Sequence, residues 1–281
     1  MMQAEAVLLD HVQRNIAPQV QSGRDLLAQF HKTRLLPTGC ASIDDILLRG
    51  GVREEHHVEI TGECGSGKTQ LCMQMAAFTA LRRERVAYID TAGSFAWAGF
   101  QAMAGALPRH AECAGAAEAQ RFLDLYRVFS LHDLLQLLRA LSKALDQEAQ
   151  QRPDRDGPHG PRRLSLLVVD SLSFLVSPVM GPGGTDDGHA LMICLGRALK
   201  QLSQRHKLAV LTTNHIVGGY DDIKPALGES WKVQANLRIA LSCMGPVLRR
   251  ACLVANTLGP CGACAYYELG VGGPKAVNAP A

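Results

Sequence analysis

Gly62-Glu63-Cys64-Gly65-Ser66-Gly67-Lys68-Thr69 is the stretch from which the rest of the chain can be read. It satisfies G-x-x-x-x-G-K-[ST], the pattern of a phosphate-binding loop. Glycines at 62, 65 and 67 let the backbone turn tightly and aim its N–H groups at an anion. Lys68 supplies a point charge for β- and γ-phosphates, and the Thr69 hydroxyl is a ligand for Mg²⁺. The positive end of the following helix adds to the same field. His56 to Thr61 alternates like a strand running into the loop, and Thr69 to Ala77 reads as the helix leaving it. This is a nucleotide site.

Composition bounds what surrounds it. The chain has 281 residues, 47% hydrophobic and 20% charged, which suits one full-sized α/β core. A net charge of +3 neither marks nor excludes a nucleic-acid-binding protein. Nine cysteines are scattered without a disulfide framework, several in apolar runs, as expected of reduced intracellular thiols. Cys261-Gly262-Ala263-Cys264 is a CxxC without a second pair, so it reads as a strand-turn pair rather than a zinc or redox centre. The apolar run Leu164 to Val169 stops at Asp170, far short of the ~20 residues a membrane helix needs. Glu5, Asp10 and Arg14 occupy the region where a signal peptide would be apolar. A soluble chain with no membrane partner is expected.

Residues 3–15 carry a helical pattern, separated by Pro18 and Gly23 from the next apolar segment. Ser42, Asp44 and Asp45 begin a short helix with Ile43, Ile46 and Leu47 on its apolar side. Strands are predicted at 85–90 and 124–129, with a small-residue helix from Phe95 to Leu107 between them. Ser130 caps a long amphipathic helix, and Asp133 completes the [ST]-x-x-[DE] pattern. Residues 151–163 form a polar, proline-rich loop with four arginines, read as solvated. The unbroken apolar run from Leu164 suits a strand buried on both faces, and it ends at Asp170, where a Walker B carboxylate orders the Mg²⁺ water shell. A loop at 177–188, a helix from Ala190 to His206 and a strand from Leu208 ending at Asn214-His215 come next. A second loop spans 217–231, three closing strands start at Leu237, Arg249 and Ala265, and the tail after Gly270 is expected to be disordered. Strands alternating with helices predict an α/β fold: a twisted, mostly parallel sheet with helices on both faces. Ligands in such sheets sit at the carboxyl ends of strands, where Lys68, Asp170 and His215 all fall.

GECGSGKTQ, YIDT, LLVVDS, TTNH and KPALGESW, in that order, resemble the ATPase core of the RecA-like eukaryotic strand-exchange recombinases, and among those their D-type paralogue. The resemblance implies a RecA-like P-loop ATPase core over 25–270, a remnant of an N-terminal helical domain at 1–24 and a disordered tail at 271–281. It implies ATP and Mg²⁺ as cofactors, held by Gly62, Glu63, Cys64, Gly65, Ser66, Gly67, Lys68, Thr69 and Gln70. Thr69 and Asp170 are the implied metal ligands, and Lys68, Asp170 and His215 the implied catalytic set.

Departures from the family pattern shape the expected activity. Active recombinases place a glutamate just past the second strand to polarise the attacking water; here the slot holds Ala92. Alanine cannot accept a proton or orient water, help that typically contributes ~10²–10⁴-fold. ATP binding with slow hydrolysis is expected, and Asp90 substitutes only if it reaches the water. His215 stands where the family has a glutamine that senses the γ-phosphate and signals to the second loop. An imidazole donates one hydrogen bond and is charged below about pH 6.5. Pro260 sits where a neighbour's nucleotide-capping proline would be, while the acid expected shortly before it reads Ala255.

In the family the loops at 177–188 and 217–231 face single-stranded DNA. Here the first holds Asp186 and Asp187 with no basic residue, and the second sets Lys224 against Asp221, Asp222 and Glu229, so each sums to −2. Phosphate neutralisation by Lys and Arg dominates nucleic-acid affinity, so single-stranded DNA binding is expected to be weak. Tyr220 and Trp231 could stack on bases or anchor the loop. The resemblance implies a nuclear protein that works with sister paralogues in a hetero-oligomer, promoting recombinase filament assembly in homologous-recombination repair. The alternatives are an interaction scaffold with a vestigial P-loop, and a small-molecule kinase using the arginines of 151–163 as a lid. A GTPase is disfavoured because no NKxD signature occurs.

Overall fold

The computed structural model describes residues 22–108, 113–151, 163–180, 186–217, 224–225, 227 and 231–279. The chain divides into two units at Arg34/Leu35, rather than at the expected 24/25 boundary. Of the first unit the structure describes helix α1 (Gly23–Lys32), opened by Ser22, whose Oγ accepts from Asp25 N at 3.1 Å. The helical reading of 3–15 lies outside the described residues.

In the second unit, β1 (Leu35–Leu36) and β2 (Val52–Arg53) form a two-residue ribbon, with α2 (Ala41–Ile46) between them. β3 (His57–Gly62) leads through the glycine-rich loop into α3 (Lys68–Leu81). Next come β4 (Arg85–Asp90), α4 (Trp97–Ala106), α5 (Ala116–Ala119), β5 (Leu123–Arg127), α6 (Leu131–Gln151) and β6 (Leu164–Asp170). After these stand α7 (Leu172–Met180), α8 (Asp186–His206), β7 (Ala209–Val217) and the two-residue β8 (Lys224–Pro225). β9 (Leu237–Cys243), β10 (Leu248–Asn256), β11 (Cys264–Gly270) and β12 (Gly273–Val277) close the chain.

The main sheet runs β12-β11-β10-β9-β3-β7-β6-β4-β5, parallel from β9 to β5 and antiparallel among β9 to β12. Side chains alternate across a strand, and β4, β6 and β7 therefore each feed two cores. Ile60, Tyr88, Val168 and Leu211 pack on one face with α3 residues Leu71 and Met75. Ile89, Val169 and Val210 pack on the other with Leu138 of α6 and Leu199 of α8. The α/β sheet with helices on both faces is the expected one. Ser130 caps α6 as its spacing predicts, with Oγ accepting from Asp133 N at 3.1 Å.

Several boundaries differ, each for a physical reason. The stretch 177–188, expected as a loop, is helical at both ends: α7 continues through Pro178 to Met180, and α8 starts at Asp186. Residues 181–185 lie outside the described residues. Asn214 and His215 lie within β7 rather than at its end, because Ile216 and Val217 pair with Pro225 and Lys224 of β8. Instead of a disordered tail, Gly273–Val277 adds to the sheet edge beside β11. GPKAV has no apolar alternation; backbone pairing and a 3.0 Å bond from Gln74 Nε2 to Pro274 O hold it. Cys252 and Cys264 are a disulfide rather than free thiols, since register sets them opposite each other on β10 and β11. Among the described residues no helix is long and apolar enough to cross a membrane.

Candidate nucleotide-binding site

The glycine-rich loop takes the shape its residue types dictate. Gly65 (φ +77°) and Gly67 (φ +95°) occupy left-handed backbone conformations that side-chain-bearing residues rarely adopt. A Cβ on Gly67 would also come within 3.0 Å of Leu269. Gly67 caps α3, so the first turn of that helix presents its N–H groups at the loop. Lys68 Nζ donates to Gly62 O at 2.9 Å and to Glu63 O at 2.8 Å, curling the ammonium over the loop. Burial lowers the Lys68 pKa, and the charge of Asp170 opposes that shift. Ser66 Oγ is buried without a hydrogen-bond partner among the described residues. An ammonium curled over a loop at a helix start fits a group rich in acceptor oxygens, such as a triphosphate.

A cleft of about 290 Å³ opens over the loop, lined by Cys64, Gly65, Gly67, Lys68, Thr69, Gln70, Ala92, Ser94, Asp170, Ser171, His215 and Leu269. It brings together Lys68, Thr69, Asp170 and His215 from three different elements. Gly62, Glu63 and Ser66 do not line it. The first two hold Lys68 through their carbonyls, and Ser66 is fully buried.

Asp170, at the carboxyl end of β6, is 3% exposed. Its Oδ1 accepts from Thr213 Oγ1 at 2.5 Å and its Oδ2 from Tyr88 OH at 2.9 Å. Both donors keep the carboxylate aimed at the cleft, and its remaining lone pairs suit a hydrated Mg²⁺. Burial and the Asp170 charge push the Tyr88 hydroxyl well above its ordinary pKa. His215 is half-buried, with its backbone N donating to Ser173 Oγ at 3.2 Å. Burial and the nearby Lys68 charge lower its pKa, so the ring enters the cleft neutral near pH 7.

Asp90 does not reach the cleft. Its Oδ1 accepts from the N–H groups of Ala92 (3.2 Å) and Ser94 (3.1 Å), and its Oδ2 from Phe95 N (3.1 Å). A fully buried carboxylate with three backbone donors shapes the turn after β4. Ala92 itself lines the cleft.

Sequence reasoning missed the residues behind the loop. Tyr267 OH donates to Ser66 O at 3.0 Å, Arg249 Nε to Gly65 O at 3.2 Å and Cys243 N to Glu63 Oε1 at 3.1 Å. Arg249 and Tyr267 face each other across β10 and β11. A buried Arg in an otherwise apolar alternation was the one available signal, and its partner lies 184 residues away in sequence.

Trp231 is fully buried, its Nε1 donating to Glu59 Oε1 at 2.8 Å, so of the two expected roles it anchors rather than stacks. Tyr220, Asp221, Asp222 and Glu229 lie outside the described residues. So do the arginines of 152–162, while Arg163 is paired with Glu54 and is no lid.

The Rad51 family's sequence profile matches residues 31–233. The chain is 35% identical over 225 residues to bovine (Bos taurus) DNA repair protein RAD51 homolog 4, covering 78% of this chain and 65% of that protein. It is 31% identical over 264 residues to the mouse (Mus musculus) protein of the same name, covering 90% and 77%. It is 28% identical over 250 residues to DNA repair and recombination protein RadB of Halobacterium salinarum, covering 87% and 96%. The glycine-rich loop, the buried strand ending in Asp170 and the sheet order thus coincide with a profile spanning most of the chain, which belongs to the Rad51 family.

Proposed function

We propose that this chain is an ATP- and Mg²⁺-binding recombinase paralogue that hydrolyses ATP slowly. It acts in the nucleus within a hetero-oligomer of sister paralogues, promoting recombinase filament assembly on single-stranded DNA in homologous-recombination repair. The relatives' names, DNA repair and recombination proteins, support the process, and the chain spans 65% of the bovine relative's length. Lys68 and the loop N–H groups hold the phosphates, and Thr69 and Asp170 hold the metal, which when bound neutralises charge on the phosphate oxygens. His215 donates one hydrogen bond into the cleft as the sensing group. Single-stranded DNA contacts through 177–188 and 217–231 are weak, because the acidic residues there outnumber the single Lys224.

One observation carries the reading: the site keeps its binding groups, while the base position holds Ala92 and the adjacent Asp90 carboxylate is consumed by three backbone N–H groups. Such a site uses ATP as a fastener between subunits, since a ligand that binds one state shifts assembly without chemistry. The test is steady-state turnover of wild type against Ala92→Glu, each with its sister paralogues. The expected result is slow wild-type hydrolysis that rises about ten-fold or more in the variant. Full recombinase-like turnover in wild type would contradict it.

A further inference from the structure

A buried polar cluster lies behind the cleft, and nucleotide binding makes no direct use of it. At its centre is Glu59 of β3, with no exposed surface. Its Oε1 accepts from Asn214 Nδ2 at 2.9 Å and from Trp231 Nε1 at 2.8 Å, and its Oε2 accepts from Arg238 Nε at 2.5 Å. The His57 ring stands edge-on to Trp231 with centroids 5.8 Å apart, and its Nε2 meets Thr212 Oγ1 at 2.8 Å. Four segments therefore converge on one carboxylate: β3, β7, β9 and the Trp231 turn.

The pleat of β7 gives this cluster its bearing on the cleft. Successive side chains point to opposite faces. Thr213 holds Asp170 and His215 lines the cleft, whereas Thr212 and Asn214 between them face His57 and Glu59. A shift of the strand end that re-aims His215 must also displace Asn214, its immediate neighbour. β7 also pairs with Lys224–Pro225, and Trp231 closes the stretch 217–231. A buried ion pair is weak support for stability, since apolar residues of similar volume do as well or better. In some folds such a pair instead holds one arrangement of strands against another.

We infer that Glu59 is a positioning residue that clamps Asn214, beside the cleft-lining His215, to Trp231, so that nucleotide in the cleft orders the backbone at 224–225 and 231–236. This rests on the nucleotide-binding reading above. The experiment is hydrogen exchange of the full chain, with and without ATPγS and Mg²⁺, following peptides that contain those residues. Wild type is expected to exchange about ten-fold slower there with nucleotide. Trp231→Phe keeps the ring in the core and leaves the Glu59–Arg238 pair intact, removing only the Nε1 donor. Asn214→Ala removes the other contact should the first variant not fold. Both are expected to bind ATPγS within about three-fold of wild type, yet to lose most of the nucleotide-dependent slowing. A merely structural role would speed exchange equally with and without nucleotide, and that result overturns the inference. Nucleotide binding by wild type with no slowing overturns it as well while leaving the proposed function standing, whereas no nucleotide binding at all overturns both.

Discussion

Tyr267 and Arg249 donate to two carbonyls of the phosphate-binding loop from strands 180 or more residues away in sequence. Each bond removed from such a loop costs about 0.5–1.5 kcal/mol, more when the donor is charged. Tyr267→Phe is therefore expected to weaken ATP binding about three- to ten-fold, and Arg249→Gln somewhat more; titration with a fluorescent ATP analogue reads both. Asp90 makes the opposite prediction. Because its oxygens accept from Ala92, Ser94 and Phe95, Asp90→Ala should lower stability by about 1–3 kcal/mol per orphaned donor group. Turnover per folded molecule should not change. A stable variant that has lost its turnover would make Asp90 the base after all.

At the scale of elements, β3 concentrates the unusual chemistry. All six residues are buried, yet His57, Glu59 and Thr61 are polar. Glu59→Gln leaves the Arg238 guanidinium without its carboxylate, a loss of about 3–5 kcal/mol for a buried pair, readable as a fall in denaturant midpoint. Burial lowers the His57 pKa from 6.5 to about 4. Between those values the unfolded chain binds a proton that the folded chain does not, so stability is full above about pH 6.5 and falls as pH drops towards 4. The slope approaches about 1.4 kcal/mol per pH unit for this one group. Urea unfolding at pH 7 and pH 5 checks the sign, and a chain more stable at pH 5 would mean that His57 is charged in the fold. What the sequence makes legible tracks how local the signal is. The apolar runs of β6 and β7 and the glycines at 62–67 announce themselves within ten residues. β12 does not, because GPKAV is held by backbone pairing to β11 and by Gln74 from α3. The Cys252–Cys264 disulfide depends on cross-strand register, which spacing alone leaves open.

For the whole molecule, the fold collects Lys68 from the start of α3, Asp170 from β6 and His215 from β7 at one cleft, with β9 to β11 bracing the loop from behind. Those parallel strands were readable as alternating strand and helix. The antiparallel brace was not, since its purpose appears only when residues far apart in sequence meet. On the proposed reading this arrangement grips phosphate and, with Ala92 in the base position, cuts it slowly. The most direct measurement is isothermal calorimetry of ATP with Mg²⁺ into the full chain, alone and assembled with sister paralogues, beside Lys68→Ala. Heat of uptake in wild type that falls at least about ten-fold in affinity in the variant is the predicted result. No heat at millimolar nucleotide, in either setting, would contradict it.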